Sequence, residues 1–377
     1  MKNNNIKRIV LTGGGTGGHI YPLLAVADEI TKNYSNYEIY YIGPLTSFEF
    51  EFERRNIKTF HVFSSKWRRY FSLQNFTDIP KFFISIFQAL IILFKLMPDV
   101  IFSKGGPGSF PVILAAKFYF IPIMIHESDS VPSIVNKLSS IFAQKIGISF
   151  QAAKEYFPQK KIVFVGHPIR AELLAIHMDS KEAKILLGFD DKMPLIFVTG
   201  GSQGAEKINN FIINNLESFL SNFQIMHQVG PNNVNAINEE VSKILPHLNE
   251  ELQRRYKMVG FLNVTGLRDA LTAADIVISR SGAGSIYEIA AFGKPSILVP
   301  ITNSANNHQL LNAYEYSDQG AAVVVEEENL KFNIVKVQIQ NIINDSNKIF
   351  VMSQAAKKFA KPESAQLIVK EIIALIK

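Results

Sequence analysis

The chain has 377 residues, 47% of them hydrophobic and 19% charged, a length and balance that suit two packed cores rather than one. It has no cysteine, which excludes disulfides, thiolate catalysis and thiolate metal sites. The 39 Lys and Arg against 33 Asp and Glu give +6, a sign that favours phosphate-bearing ligands or an anionic membrane surface. No dense Lys/Arg stripe or reader motif is present, so nucleic acid is not an expected partner. The eight His lack metal-ligand spacing such as HExxH, and no DxD-like pair stands out, so neither a metal nor another cofactor is expected.

From the amino terminus, MKNNNIKRIVLTGGG runs into a short apolar stretch with no cleavage signal, so a cytoplasmic chain is expected. Short β-rich runs then alternate with helical patterns. The first half predicts strands at residues 8–12, 38–42, 59–63, 100–103, 122–126, 145–149 and 162–165. The second half predicts them at 195–199, 224–228, 257–260, 276–279, 296–299 and 322–325. Such alternation implies βαβ units and parallel sheets. Each half opens the same way, with a strand, a glycine-rich turn and a helix: RIVLTGGGTGGHIYPLLAVADEI, then PLIFVTGGSQGAEKINNFIINNL. The expected fold class is α/β, with two Rossmann-like doubly wound domains facing across a cleft and ligands at the carboxyl ends of the strands. The boundary is placed at residues 166–170, giving domains 1–167 and 168–361, with a terminal helix, 362–377, packing back on the first.

The chemistry-bearing stretches follow in chain order. GGGTGGH, residues 13–19, lets backbone approach a ligand at a helix amino terminus that favours an anion, and delivers His19 as a candidate base. Its glycine spacing is not the dinucleotide fingerprint GxGxxG. KWRRYF, residues 66–71, combines the one Trp with basic and aromatic neighbours, and KFFISIFQALIILFK, residues 81–95, is an apolar helix bracketed by lysines. Its apolar run 82–94 is shorter than the ~20 residues that span a bilayer, so it reads as an interfacial anchor or as a buried helix. SKGGPGSFP, residues 103–111, either lines an acceptor site or turns a corner. HESD, residues 126–129, ends a buried strand in charge, which suits a site; Ser128 or Asp129 can equally cap the next helix. GGSQG, residues 200–204, repeats the phosphate-loop logic with Ser202 as a hydroxyl donor. In SRSGAGSIYE, residues 279–288, a helix start suits a pyrophosphate and Glu288 suits a ribose diol. Asn307, His308 and Gln309 offer polar groups to sugar hydroxyls.

Together GGGTGGH, SKGGPGSFP, HESDSVPS, GHPIR, GGSQGA, RSGAGSIYE and NNHQ, in order from residue 13 to residue 309, resemble the MurG family. Members add N-acetylglucosamine to undecaprenyl-pyrophosphoryl-N-acetylmuramyl-pentapeptide (lipid I) in peptidoglycan synthesis. The resemblance implies a GT-B fold and metal-independent, inverting transfer from UDP-N-acetylglucosamine, with lipid II and UDP as products. It implies that Thr16, Gly17 and Gly18 face donor and acceptor phosphates, and that Arg170 and Ser202 contact the nucleotide side. Leu262 presents its backbone to uracil, Ala283, Gly284, Ser285, Ile286, Tyr287 and Glu288 wrap pyrophosphate and ribose, and Gln309 reads the sugar. His19 and Glu127 are both candidates for the proton-handling role, and sequence does not choose between them. HESD stands where HEQN is usual in the family, placing Asp129 where an amide would meet the sugar, and GHPIR stands for GNPVR. The lipid acceptor implies a peripheral place on the cytoplasmic face of the cell membrane, with the first domain on an anionic surface. Rival readings are a GT-B enzyme with another acceptor, an isomerase of the UDP-N-acetylglucosamine 2-epimerase type, and an inactive sugar-nucleotide-binding protein. Intact His19, Glu127 and Glu288 argue against the last.

Overall fold

A computed structural model describes residues 6–64, 73–175, 178–302 and 307–376. The KWRRYF stretch, with Trp67, Arg68 and Arg69, lies outside the described residues. The chain divides into two compact units, Met1–Arg170 with Pro362–Lys377, and Ala171–Lys361.

Unit 1 is built on seven parallel strands: β1 (Lys7–Thr12), β2 (Tyr37–Gly43), β3 (Lys58–His61), β4 (Val100–Ser103), β5 (Ile123–Glu127), β6 (Lys145–Ile148) and β7 (Ile162–Phe164). Their order in the sheet is β3-β2-β1-β4-β5-β6-β7. Side chains alternate across a strand, so β1 feeds two cores at once. Ile9 and Leu11 join Leu23, Ile30, Phe102, Ile368 and Ile372 on one face, bringing the helices Gly17–Asn33 and Ser364–Ile373 onto it. Val10 joins Ala89, Leu93, Ile101, Val112 and Ile125 on the other, under the helices Leu73–Leu96 and Phe110–Phe118. Burial on both faces is why these strands read as continuous apolar runs. Thr12 stands opposite Ile42 on β2 and Ser103 on β4. The chain winds outward from β1 to β3 and returns at β4, so the loops after β1 and β4 part at the switch point of the sheet.

The helix Leu73–Leu96 has an outer face that is as apolar as its inner one. Ser85, Ala89 and Leu93 are buried, whereas Ile79, Phe83, Phe87, Ile91 and Phe94 form an exposed stripe at helical spacing. The segment Ile79–Leu96 is long and apolar enough to cross a membrane by length and composition, with mean hydropathy 1.8. The run counted in the sequence, 82–94, was shorter because it stops at Lys81 and Lys95, both of which the longer segment includes. Beyond it the surface stays apolar: Phe94 neighbours Tyr119, Tyr119 neighbours Phe118, and Phe118 and Phe120 are exposed.

Unit 2 repeats the plan with six parallel strands: β8 (Leu195–Thr199), β9 (Gln224–Gln228), β10 (Tyr256–Val259), β11 (Ile276–Ser279), β12 (Ser296–Leu298) and β13 (Ala322–Val324). The order is β10-β9-β8-β11-β12-β13, and Thr199 stands opposite Gln228 and Ser279. All thirteen strands coincide with the runs marked in the sequence, their ends moved by at most two residues.

One device recurs. An aspartate just before the strand beside the central one reaches across to the start of the central strand. Asp99 accepts from the Arg8 amide at 2.7 Å and pairs with Lys7 at 3.0 Å. Asp275 accepts from the Leu195 amide at 2.7 Å and pairs with Lys184 at 2.7 Å. Each carboxylate fixes the register of the two strands whose far ends carry the glycine loops.

Candidate active site

In unit 1 the candidate residues gather beyond the carboxyl ends of β1, β4 and β5. Thr16 is the amino-terminal cap position of the helix Gly17–Asn33, yet its side chain does not cap it. Its hydroxyl is instead bonded to His19 Nδ1 at 2.9 Å. No acidic side chain occupies the first turn, so no carboxylate of that turn competes for the amides of Gly17 and Gly18. The imidazole of His19 lies against two glycines. A Cβ on Gly14 would come within 2.9 Å of Nδ1, and one on Gly106, whose φ is +93°, within 3.3 Å of Nε2. Burial and then the neighbouring Lys104 hold the pKa of His19 down at about 4, so the ring is neutral at physiological pH.

Glu127, the last residue of β5, turns its carboxylate into its own loop. One oxygen accepts from the Asp129 amide at 3.0 Å; the other accepts from the Ser133 amide at 3.2 Å and from Asn136 Nδ2 at 2.8 Å. Burial and the charge of Asp129 raise its pKa, against those bonds and Lys104. Ser133 caps the next helix, Ile134–Phe142, accepting from the Asn136 amide, so neither Ser128 nor Asp129 is the cap. Pro132 disfavours helical geometry just before it and so sets the helix start later than the polar HESD signal suggests. His126 Nε2 meets the carbonyl of Gly166 at 2.8 Å, anchoring the GHPIR segment on this sheet. Arg170 belongs to unit 1, its guanidinium 4.1 Å from the centre of the Tyr21 ring.

In unit 2 the loops after β8 and β11 adjoin. A Cβ on Gly201, φ +82°, would lie 3.9 Å from Ser285 Oγ, placing the GGSQG loop, with half-buried Ser202, beside the first turn of the helix Ala283–Ala291. That helix is capped by Gly282, which has no side chain to bond the first amides, and its first turn holds no acid. Gly284, Ser285 and Glu288 share its accessible face, as i, i+1 and i+4 spacing requires. Ala283, Ile286 and Tyr287 do not: their side chains are buried, and the Ile286 amide already bonds Gly282. Of the six residues expected to wrap the ligand, three therefore have side chains turned into the core. Half-buried Leu262 precedes the helix Val264–Ala273. Gln309 opens the helix His308–Asp318; its carbonyl accepts from Ser281 Oγ at 2.8 Å and its side chain from the Ile301 amide at 3.3 Å.

Arg280 has a prominence its position in SRSGAGS did not announce. Buried, it donates to the Val299 carbonyl at 3.0 Å and pairs with Glu327 at 2.6 Å. Glu327 also meets Lys207 at 2.6 Å and bonds Thr302, so one carboxylate joins segments following β8, β11, β12 and β13. Burial alone would raise its pKa; the bonds from Lys207, Thr302 and Arg280 outweigh this and pull it to about 2. Among the described residues no group of three or more His, Asp or Glu is arranged to hold a metal ion.

Two family models match the chain: the N-terminal domain of glycosyltransferase family 28 over residues 9–148 and its C-terminal domain over residues 195–368. A UDP-N-acetylglucosamine–N-acetylmuramyl-(pentapeptide) pyrophosphoryl-undecaprenol N-acetylglucosamine transferase from Clostridium botulinum is 36% identical over 375 residues, 99% of each chain. The enzyme of the same name from Legionella pneumophila is 37% identical over 368 residues, 96% of each. The chain belongs to the MurG family. Its fold is GT-B: the crystal structure of Acinetobacter baumannii MurG aligns at a TM-score of 0.74, with 24% identity over 98% of this chain and 99% of that one. A UDP-GlcNAc 2-epimerase from Neisseria meningitidis aligns at 0.68 with 16% identity, over 97% and 100%. The epimerase therefore shares the architecture, whereas the MurG relatives share the sequence as well. Lys104, Asn136, Arg280 and Glu327 are the members of these loops that sequence reasoning passed over. The signal for the first and third is a cation directly after a buried strand, in SKGG and SRSG.

Proposed function

We propose that the chain transfers N-acetylglucosamine from UDP-N-acetylglucosamine to undecaprenyl-pyrophosphoryl-N-acetylmuramyl-pentapeptide, forming lipid II and UDP. The observation that carries this reading is identity of 35–37% over nearly the whole chain to enzymes named for that reaction. Unit 2 takes the donor. The unblocked helix start at Ala283, Gly284 and Ser285 meets the pyrophosphate, with Ser202 alongside, and Glu288, one turn in, accepts from the ribose hydroxyls. The Leu262 backbone meets uracil, Gln309 meets the sugar, and Arg170 adds positive charge to the leaving nucleotide. Backbone dipoles aimed at the departing phosphate stabilise charge as it develops.

Unit 1 takes the acceptor. Thr16, Gly17 and Gly18 face its phosphates, and Asp129 stands at the sugar. As the acceptor hydroxyl oxygen bonds to the anomeric carbon, the bond from that carbon to the β-phosphate oxygen breaks. The hydroxyl proton passes to a base, and UDP departs with the bonding pair. His19 is the better base: its neutral ring has Nε2 toward the glycine loop, while the Glu127 carboxylate is spent on three N–H donors of its own loop. Glu127 then orients the loop that carries Asp129.

The lipid-linked acceptor brings unit 1 to the membrane surface. The exposed stripe Ile79, Phe83, Phe87, Ile91 and Phe94, with Phe118 and Phe120, supplies apolar area, and Lys81, Lys95 and Lys117 supply a basic rim for anionic lipid. Because Ala89 and Leu93 are held in the core, the helix lies on the membrane without crossing it. Incubation with UDP-N-acetylglucosamine, with and without lipid I, tests the reading. Lipid II formed only with lipid I supports it; an epimerised sugar nucleotide formed without acceptor replaces it by the isomerase reading.

A further inference from the structure

We infer that Lys104 is a positioning residue of the transfer reaction: its ammonium ties the loop after β5, which carries Glu127 and Asp129, to the glycine loop that carries His19. The inference rests on the transferase reading above. Lys104 follows β4 directly, and its amide donates to the Thr12 carbonyl at 2.8 Å. Its stem packs on the first glycine of GGGTGGH, where a Cβ on Gly13 would lie 3.5 Å from Lys104 Cβ. Its ammonium donates to Ser128 Oγ, inside HESD. The residue is only 3% exposed, which is rare for lysine.

An enclosed ammonium is costly unless opposite charge accompanies it. The groups that face this one come from every surrounding element: His19 from the Gly17–Asn33 helix, His126 and Glu127 from β5, Asp129 from the loop after it, and His167 from the segment after β7. Glu127 and Asp129 compensate the charge; the three histidines are kept neutral by burial first and by this charge second. A positive charge between His19 and Glu127 favours the proton-accepting form of both, the neutral ring and the carboxylate. A side chain that merely filled space here would not need charge, since a methionine has nearly the same shape.

Unit 2 supports the reading independently. Arg280 follows β11 as Lys104 follows β4, its amide turned to the Thr199 carbonyl as that of Lys104 is to Thr12. It too is buried and compensated by carboxylate, from Glu327. Both units thus place one enclosed cation at the switch point, where it couples neighbouring loops.

The test uses the full chain with UDP-N-acetylglucosamine and lipid I, following kcat and KM across pH for the parent, Lys104→Met, Lys104→Arg and Ser128→Ala. Lys104→Met is expected to lower kcat about tenfold with donor KM nearly unchanged, and to move the acid limb of the kcat profile upward by about half a pH unit or more. Lys104→Arg restores the limb, because the charge returns. Ser128→Ala keeps the charge and loses the tether, so it lowers kcat while the limb stays in place. A folded Lys104→Met with parental kcat and limb overturns the inference. If that variant does not fold, parental kcat in Ser128→Ala overturns it instead. Absence of transfer by the parent overturns the transferase reading, a separate outcome.

Discussion

Replacing Phe87 and Phe94 together by Ser isolates the apolar part of the membrane contact. The two side chains are 67% and 66% exposed on the outer face of the Leu73–Leu96 helix. Full burial of a Phe is worth about 1.5–3 kcal/mol, so the two-thirds available here should contribute about 1–2 kcal/mol each on insertion. The double variant should therefore bind vesicles more weakly by about 2–4 kcal/mol, roughly 30- to 1000-fold in partition. In water the same change removes little packing, and unfolding free energy should move by no more than about 0.5 kcal/mol. Co-sedimentation with anionic vesicles at physiological salt, beside urea unfolding, measures both. Parental vesicle binding by a folded double variant would refute the docking argument. Lys81→Gln with Lys95→Gln should cost about 1 kcal/mol per charge, a loss that added salt erases while the Phe loss persists.

Glu288→Ala should weaken UDP-sugar binding by about 1.5–3 kcal/mol in calorimetry, since a charged acceptor for ribose hydroxyls is lost; unchanged affinity would remove Glu288 from the donor site. His19→Ala should lower kcat with donor affinity intact, while parental turnover would transfer the base role elsewhere. Glu327→Ala leaves Arg280 buried without its partner and should destabilise the protein by about 3–5 kcal/mol in urea unfolding at neutral pH. Because the folded-state pKa of Glu327 is depressed to about 2, its contribution is present above the ordinary carboxylate range and fades as pH falls through about 2. His227, bonded to Tyr256 and Asn209 in the unit 2 core, has its pKa held at about 3 by burial. The unfolded chain binds its proton first, so stability should fall as pH drops below about 6.5, and His227→Gln should flatten that slope.

The fold was legible because its strands are short, buried on both faces and followed by glycine, so hydrophobicity and turn chemistry mark the same boundaries. Ile9, Val10 and Leu11 before GGG, and Ile196, Phe197 and Val198 before GG, show this in both units. The candidate stretches were legible for the same reason, since loops after β1, β5, β8 and β11 fall at sheet edges by topology. Which side chain within a stretch faces outward was less so. Ile286 and Tyr287 turn into the core while Gly284, Ser285 and Glu288 of the same helix stay accessible, a distinction that helical spacing carries and motif matching ignores. Partners distant in sequence were invisible: nothing near Arg280 points to Glu327, and HESD does not reveal that Asn136, a turn into the next helix, holds Glu127. The outer face of Leu73–Leu96 stayed ambiguous in sequence because both faces are apolar, and only packing decides which one is covered.

The helix Ser364–Ile373 closes a core begun by Ile9, Leu11 and Leu23, although all of unit 2 lies between them in the chain. A ribosome must therefore add roughly 200 residues after Arg170 before that face of the first sheet receives its last helix. At about 5–20 residues per second that is roughly 10–40 s with apolar surface open, during which unit 2 can complete itself. Unit 2 is in this sense an insertion within unit 1. A stop codon anywhere in the second half would spoil the first.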